Sequence, residues 1–174
     1  ITKDNTDVIK GNAGSPYAIR DYYDVSPDLA DDVENRMDEF EDLIERTHKA
    51  GLKVIIDLVP NHVARQYHSD AKPKKVVDLG VKDDTSVNFN PDNSFYYLPN
   101  QPLELRFQAN QNGDNTYQEF PAKVTGNDKF DNKPTVNDWY ETIKLNYGID
   151  YQNGKQKYFT PIPDTWYKMR DILL

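Results

Sequence analysis

Apolar residues along this chain recur in three different patterns, and each predicts a different element. In the first, Met37, Phe40, Leu43, Ile44, Thr47 and His48 return at helical spacing, an amphipathic stripe about three turns long. Asp31 or Asp32 can cap its start, and Gly51 stands where a helix-terminating glycine belongs. The second pattern, 53-KVIIDLV-59, is almost continuously apolar and rich in β-branched residues. It predicts a strand covered on both faces, as in a parallel sheet. The third is a short stripe of Trp166, Met169 and Ile172–Leu173 that follows Asp164, a candidate cap after a proline.

Helix, glycine and buried strand together make half of a β/α unit. Only one such unit is present, so its sheet must lie mostly outside this chain. Between about residues 64 and 162 the pattern breaks down: Asn, Asp, Tyr, Lys and Gly dominate and apolar residues occur singly or in pairs. Turn dipeptides recur at Asn112–Gly113, Gly126–Asn127 and Asn153–Gly154. The last lies between IDYQ and KQKYF and predicts a two-residue hairpin. Short antiparallel strands and long loops are expected there, inserted between the buried strand and the helix that opens at Asp164. The lack of an initiating Met at Ile1 and of a cap at Leu174 reads as a piece of a longer protein.

Composition narrows the partners. A formal charge of −8 argues against a nucleic-acid backbone and leaves a neutral, polyhydroxylated or cationic ligand. The chain has no cysteine, which excludes thiol catalysis, disulfides and zinc–thiolate sites. No apolar run approaches the roughly 18 residues of a membrane helix.

The chemistry sits at the end of the apolar run, 53-KVIIDLVPNHV-63. A carboxylate buried mid-strand costs several kcal/mol unless it is paired. Asp57 is therefore either a hydrogen-bonded structural carboxylate or part of a polar site at the strand's carboxyl end, where β/α folds place their sites. Asn61 and His62, just past that end, favour the second reading.

The stretch LKVIIDLVPNHV resembles the first signature region of the α-amylase family, glycoside hydrolase family 13, in which the third barrel strand ends in Asp-x-x-x-Asn-His. Upstream, SPYAIRDYYDVSPDL is similar to the segment after the family's second strand, and ERTHKAG to the end of the helix before the third. The resemblance implies an α/β fold, a partial (β/α)8 TIM barrel carrying an inserted, irregular, β-rich domain B. Residues 1–63 would belong to the barrel, 64–162 to domain B and 163–174 to the start of the third helix.

It also implies roles. His62 would bind the sugar at the cleavage subsite and stabilise an oxocarbenium-like transition state. Tyr17 would be the aromatic on which that sugar stacks, and Asp57 would support the site's geometry. Asn61 would be a calcium ligand in members that hold the ion. The partner implied is an α-glucan or maltooligosaccharide. Tyr22, Tyr23 and His48 are assigned to packing, and His68 and Asp70 to a solvated loop. Tyr96–Tyr97, Trp139 and Tyr140 fit either a sugar groove or the core of the insert.

Retaining cleavage needs a nucleophile and an acid/base carboxyl about 5–5.5 Å apart. In the family these lie on later strands, so no catalytic residue is assigned within this chain, and an inactive fragment is expected. The end of domain B departs from the family's usual Leu-Pro-Asp-Leu-Asn-like stretch, so the Asp that this stretch supplies to calcium is not placed here, and Asn61 alone does not make a site. The competing reading is a non-catalytic carbohydrate-binding or structural piece. Self-association through KVIIDLV is a further expectation, because an unpartnered strand has two open edges.

Overall fold

The computed structural model describes residues 4–107 and 115–174, so the expected turn at Asn112–Gly113 lies outside the described residues. Helix α1 spans Arg36–Lys49. Asp32 acts as a cap, but of a 3-10 turn at Val33–Asn35 that precedes the helix, its carboxylate accepting from the Glu34 N–H. Glu39 reaches back to the N–H groups of Asp31 and Asp32 at 3.0 and 2.6 Å, satisfying donors that the first turn leaves free. At the other end Gly51 adopts a φ of +79° and donates to His48 O, while Leu52 N–H donates to Thr47 O. This is the paired 5→2 and 6→1 closure that a left-handed C′ glycine permits.

The apolar run after that glycine does not form the expected buried strand. Residues 52–60 join no ladder with any described strand, and Ile55 and Ile56 are 93% and 67% exposed. Asp57 is exposed as well. A strand buried on both faces needs two parallel neighbours and covering helices, and the described residues contain no parallel pair. For the same reason α1 buries none of its residues, and His48 on its last turn is exposed. The carboxyl end of the run is nevertheless held: the Tyr22 hydroxyl donates to Val59 O at 2.6 Å, and the Tyr147 hydroxyl donates to Pro60 O.

Strand pairing begins at His62. Strand β1 (His62–Ala64) pairs antiparallel with β4 (Thr142–Lys144), in the register His62↔Lys144, Val63↔Ile143 and Ala64↔Thr142. Strand β2 (Tyr97–Leu98) pairs with β3 (Ala122–Lys123). Bridges Phe95↔Leu145 and Thr125↔Ile143 join the two ladders through β4. One core gathers Val63, Leu79, Phe95, Tyr97, Ile143, Leu145 and Met169. A second packs Tyr96, Leu98, Ala122 and Val124 beneath Phe89, Phe130 and Tyr151. Tyr96 and Tyr97 are thus core residues, as is Tyr140, which is 1% exposed.

The Asn153–Gly154 hairpin forms between β5 (Ile149–Asp150) and β6 (Gln156–Lys157), but its loop is residues 151–155, not two residues. The Asp150 carboxylate explains the difference, since it accepts from the N–H groups of Gln152 and Asn153 and from the Asn153 amide. That side-chain turn offers the backbone an alternative to a tight reversal. At Gly126–Asn127 the chain turns as expected, closed by Asp128 N–H on Thr125 O. Helix α2 (Asp164–Leu173) has Pro163 at its cap position, which places Asp164 inside the first turn, paired with Lys168 at 3.2 Å. Met169 anchors α2 in the core. Among the described residues no helix is long and apolar enough to cross a membrane.

Candidate functional site

A cavity of about 510 Å³ opens where the apolar run meets β1. Tyr17, Asp57, Asn61 and His62 all line it. The insert supplies the opposite wall with Trp139, Glu141 and Thr142, and Lys10 and Ser15 complete the lining. Residues separated by up to 132 positions in the chain therefore share one space.

His62 is fixed from several sides. It opens β1, is 5% exposed, and its ring lies 5.3 Å from that of Trp139 at a tilt of 57°. Its Nδ1 is buried without a hydrogen-bond partner. Burial holds the imidazole below its ordinary pKa, and the nearby Lys144 ammonium acts in the same direction, while a hydrogen bond to the Tyr17 backbone opposes them. A neutral ring with an unused polar atom is suited to a hydroxyl ligand, which can donate or accept.

Tyr17 presents 58% of its surface to solvent, as a stacking platform must. Its N–H donates to Ser15 Oγ at 3.2 Å, and Ala64 N–H donates to Ile19 O at 2.8 Å just beyond it. Trp139, 48% exposed, is the one member of the four aromatics left open between groove and core that faces the cavity. The Trp139 N–H donates to Asn127 Oδ1 at 3.2 Å, and Asn127 in turn donates to Asp138 at 3.0 Å.

Asn61 is exposed and its backbone carbonyl accepts from Leu145 N–H at 3.1 Å. Calcium takes six to eight oxygen ligands. Among the described residues no three His, Asp or Glu side chains form a group that could hold a metal. One amide does not complete such a shell. His68 and Asp70 are more than half exposed, but are not merely solvated: His68 Nε2 lies 3.1 Å from Asp70 and its Nδ1 2.9 Å from Asp78.

Behind the cavity wall stands Arg65, which the sequence gives no reason to single out. It is 3% exposed, and its guanidinium donates to Tyr140 O (2.6 Å), Thr142 O (3.2 Å), Lys123 O (3.3 Å) and Glu119 Oε1 (2.7 Å). Burial alone would raise the Glu119 pKa, but Arg65, Lys123 and the Tyr117 hydroxyl together carry it below the ordinary value. One ion pair thus ties β1, β3 and the segment entering β4.

The family model described as "Alpha amylase, catalytic domain" matches residues 6–160. Trehalose-6-phosphate hydrolase of Bacillus subtilis (strain 168) is 41% identical over 51 residues, covering 29% of this chain and 8% of that protein. Alpha-amylase 3 of Dictyoglomus thermophilum is 37% identical over 51 residues, covering 29% of this chain and 9% of that protein. The matched stretch is therefore less than a tenth of either relative's length. No solved structure gives a significant match.

Proposed function

The chain belongs to the α-amylase catalytic-domain family, and on that premise we propose that its cavity is part of the α-glucan site of a retaining glycosidase. The observation that supports this most directly is the meeting of Tyr17, Asp57, Asn61 and His62 on one cavity. In this reading the Tyr17 ring covers the C–H face of a glucose unit. His62 bonds a hydroxyl of the same sugar. Because burial keeps the imidazole neutral, that bond adds no like charge where positive charge develops on the sugar. Asp57 supports the geometry around them, and Trp139 forms the facing wall.

The barrel belongs to the same proposal. Residues 53–59 would be its third strand and residues 64–162 its domain B, with the strand's sheet neighbours supplied from outside this chain. The nucleophile and the acid/base carboxyl would also come from outside, so this chain binds sugar without cleaving it. Calcium enters only through Asn61, whose remaining oxygen partners would have to come from elsewhere.

Nuclear magnetic resonance titration of the ¹⁵N-labelled chain with maltotetraose tests the reading, with cellotetraose as the β-linked control. Shifts confined to residues 15–19, 57–62 and 139–142 with maltotetraose are the expected result. No shift, or equal response to both sugars, would sink it. Release of reducing sugar from maltotetraose by the pure chain would overturn the assignment of catalysis to other parts of the protein.

A further inference from the structure

Glu141 is the point at which the two walls of the cavity are joined. Its main chain is locked to the His62 strand: Glu141 directly precedes β4, and Arg65 N–H donates to Glu141 O at 2.8 Å. Its side chain crosses to the other wall, where one carboxylate oxygen, Oε2, accepts from Lys10 N–H at 3.0 Å and from Ser15 N–H at 3.2 Å. The residue is 6% exposed.

The loop it grips is also held by the Lys10 side chain, whose ammonium donates to Val136 O at 3.3 Å and lies 6.0 Å from the centre of the Tyr140 ring. Residues 10–13 are exposed, and the turn they make is closed by a single internal bond, Gly14 N–H to Lys10 O at 3.2 Å. Gly14 takes a φ of +74°, which suits glycine and lets the chain fold back over the carboxylate. The clasp is the restraint on the Lys10 and Ser15 main chain, beside the bond from the Lys10 ammonium to Val136 O. From Ser15 the linkage passes on: its hydroxyl oxygen accepts from Tyr17 N–H at 3.2 Å. Two links thus run from the β4 wall to the exposed tyrosine, beside the direct bond between His62 and the Tyr17 backbone, while Ala64 N–H holds Ile19 O on the far side.

We propose that Glu141 is a positioning residue that fixes Tyr17 at a set distance from the His62–Trp139 wall and thereby sets the affinity for sugar. The sugar part of this inference rests on the function proposed above, whereas the clasp itself does not. A carboxylate accepting two backbone N–H bonds is a stronger anchor than a neutral acceptor. A glutamine oxygen can still accept both, so Glu141→Gln should keep the clasp and Glu141→Ala should lose it.

The test combines maltotetraose titration with amide hydrogen exchange on the 174-residue chain. Glu141→Ala should abolish the protection of the Lys10 and Ser15 amides and raise the Kd about tenfold. Glu141→Gln should keep the protection and bind within about twofold of the parent chain. Should Glu141→Ala fail to fold, Ser15→Ala cuts only the second link, and about threefold weaker binding with intact Lys10 protection is expected. Unchanged protection in a folded Glu141→Ala chain overturns the clasp. Lost protection with unchanged Kd overturns its role in affinity. A parent chain that binds no maltotetraose removes the sugar part together with the proposed function, and the exchange data then judge the clasp alone.

Discussion

Gly126 lies directly against His62: a Cβ built on Gly126 would stand 3.0 Å from His62 Cβ and 2.3 Å from Thr142 Oγ1. The turn of the insert therefore approaches the imidazole more closely than any side chain would allow. This contact, with Trp139 on one side and the Tyr17 backbone on another, is what keeps the ring in place.

Replacing Gly126 with Ala should force either Thr142 or His62 to move. Overpacking of this kind costs about 1–3 kcal/mol. The urea midpoint should fall accordingly, and the His62 ring resonances should shift while those of Tyr96, in the second core, stay put. An unchanged midpoint and unmoved ring resonances would show that the turn yields freely and does not hold the imidazole.

The Arg65–Glu119 pair makes a sharper prediction. Removing one member of a buried ion pair strands the other and costs about 3–5 kcal/mol, so Arg65→Ala should unfold the chain at markedly lower urea. Arg65→Lys should also be destabilising, because an ammonium cannot reproduce a planar fork that reaches Tyr140 O, Thr142 O, Lys123 O and Glu119 at once. Glu119 adds a pH signature. Its folded pKa lies below its ordinary value, so its contribution is present above about pH 4.5 and is lost as pH falls through the folded value. Glu119→Gln should flatten the acid limb of stability against pH; an unaltered limb would mean that the pair has no such effect.

How much of this was readable in the residues differs from place to place. Gly51 could be placed as a helix stop because a left-handed C′ position is a local backbone demand that only its neighbours set. Asp57, Asn61, His62 and Tyr17 could be listed because their motifs are contiguous. What the sequence could not reveal depends on distant contacts. The apolar run 53–59 promised burial, yet burial requires neighbours that the described residues do not contain, and among the described residues Ile55 is the most exposed large apolar side chain but Leu174. Arg65 and Glu141 gave no signal, since their partners lie 54 to 131 positions away. Asp150 lengthened a hairpin loop that Asn153–Gly154 alone would have kept short.

Titration of His62 should shape stability near neutrality. Its folded pKa is lowered by burial, so the unfolded chain binds the proton more readily, and stability should fall as pH drops below about 6.5 through the folded value. Asp4 works in the opposite sense. Burial pushes its carboxyl up to about 6 against the pull of Arg20, so its contribution is full below about pH 4 and lost as pH rises through about 6. The two can be separated by urea unfolding at pH 5 and pH 7.5. His62→Gln should remove the loss of stability on acidification, and Asp4→Asn should make that loss steeper. If both variants track the parent chain, neither group is perturbed by folding.

The exposed run predicts association. Ile55 and Ile56 present apolar side chains on a segment that has no ladder partner among the described residues, and such a segment can pair with another copy of itself. We propose that the 174-residue chain self-associates through residues 53–59. Sedimentation velocity at rising concentration should show a shift toward larger species. The double substitution Ile55→Lys and Ile56→Lys should suppress it, because lysines on an open strand oppose pairing by charge repulsion and cover no apolar surface. Neither substitution touches the buried cores, so the free energy of unfolding of the monomer should change by no more than about 0.5 kcal/mol. A parent chain that stays monomeric at all concentrations would contradict the proposal. Persistent association in the lysine variant would move the contact elsewhere, first to the exposed face of α2 that carries Trp166 and Leu173.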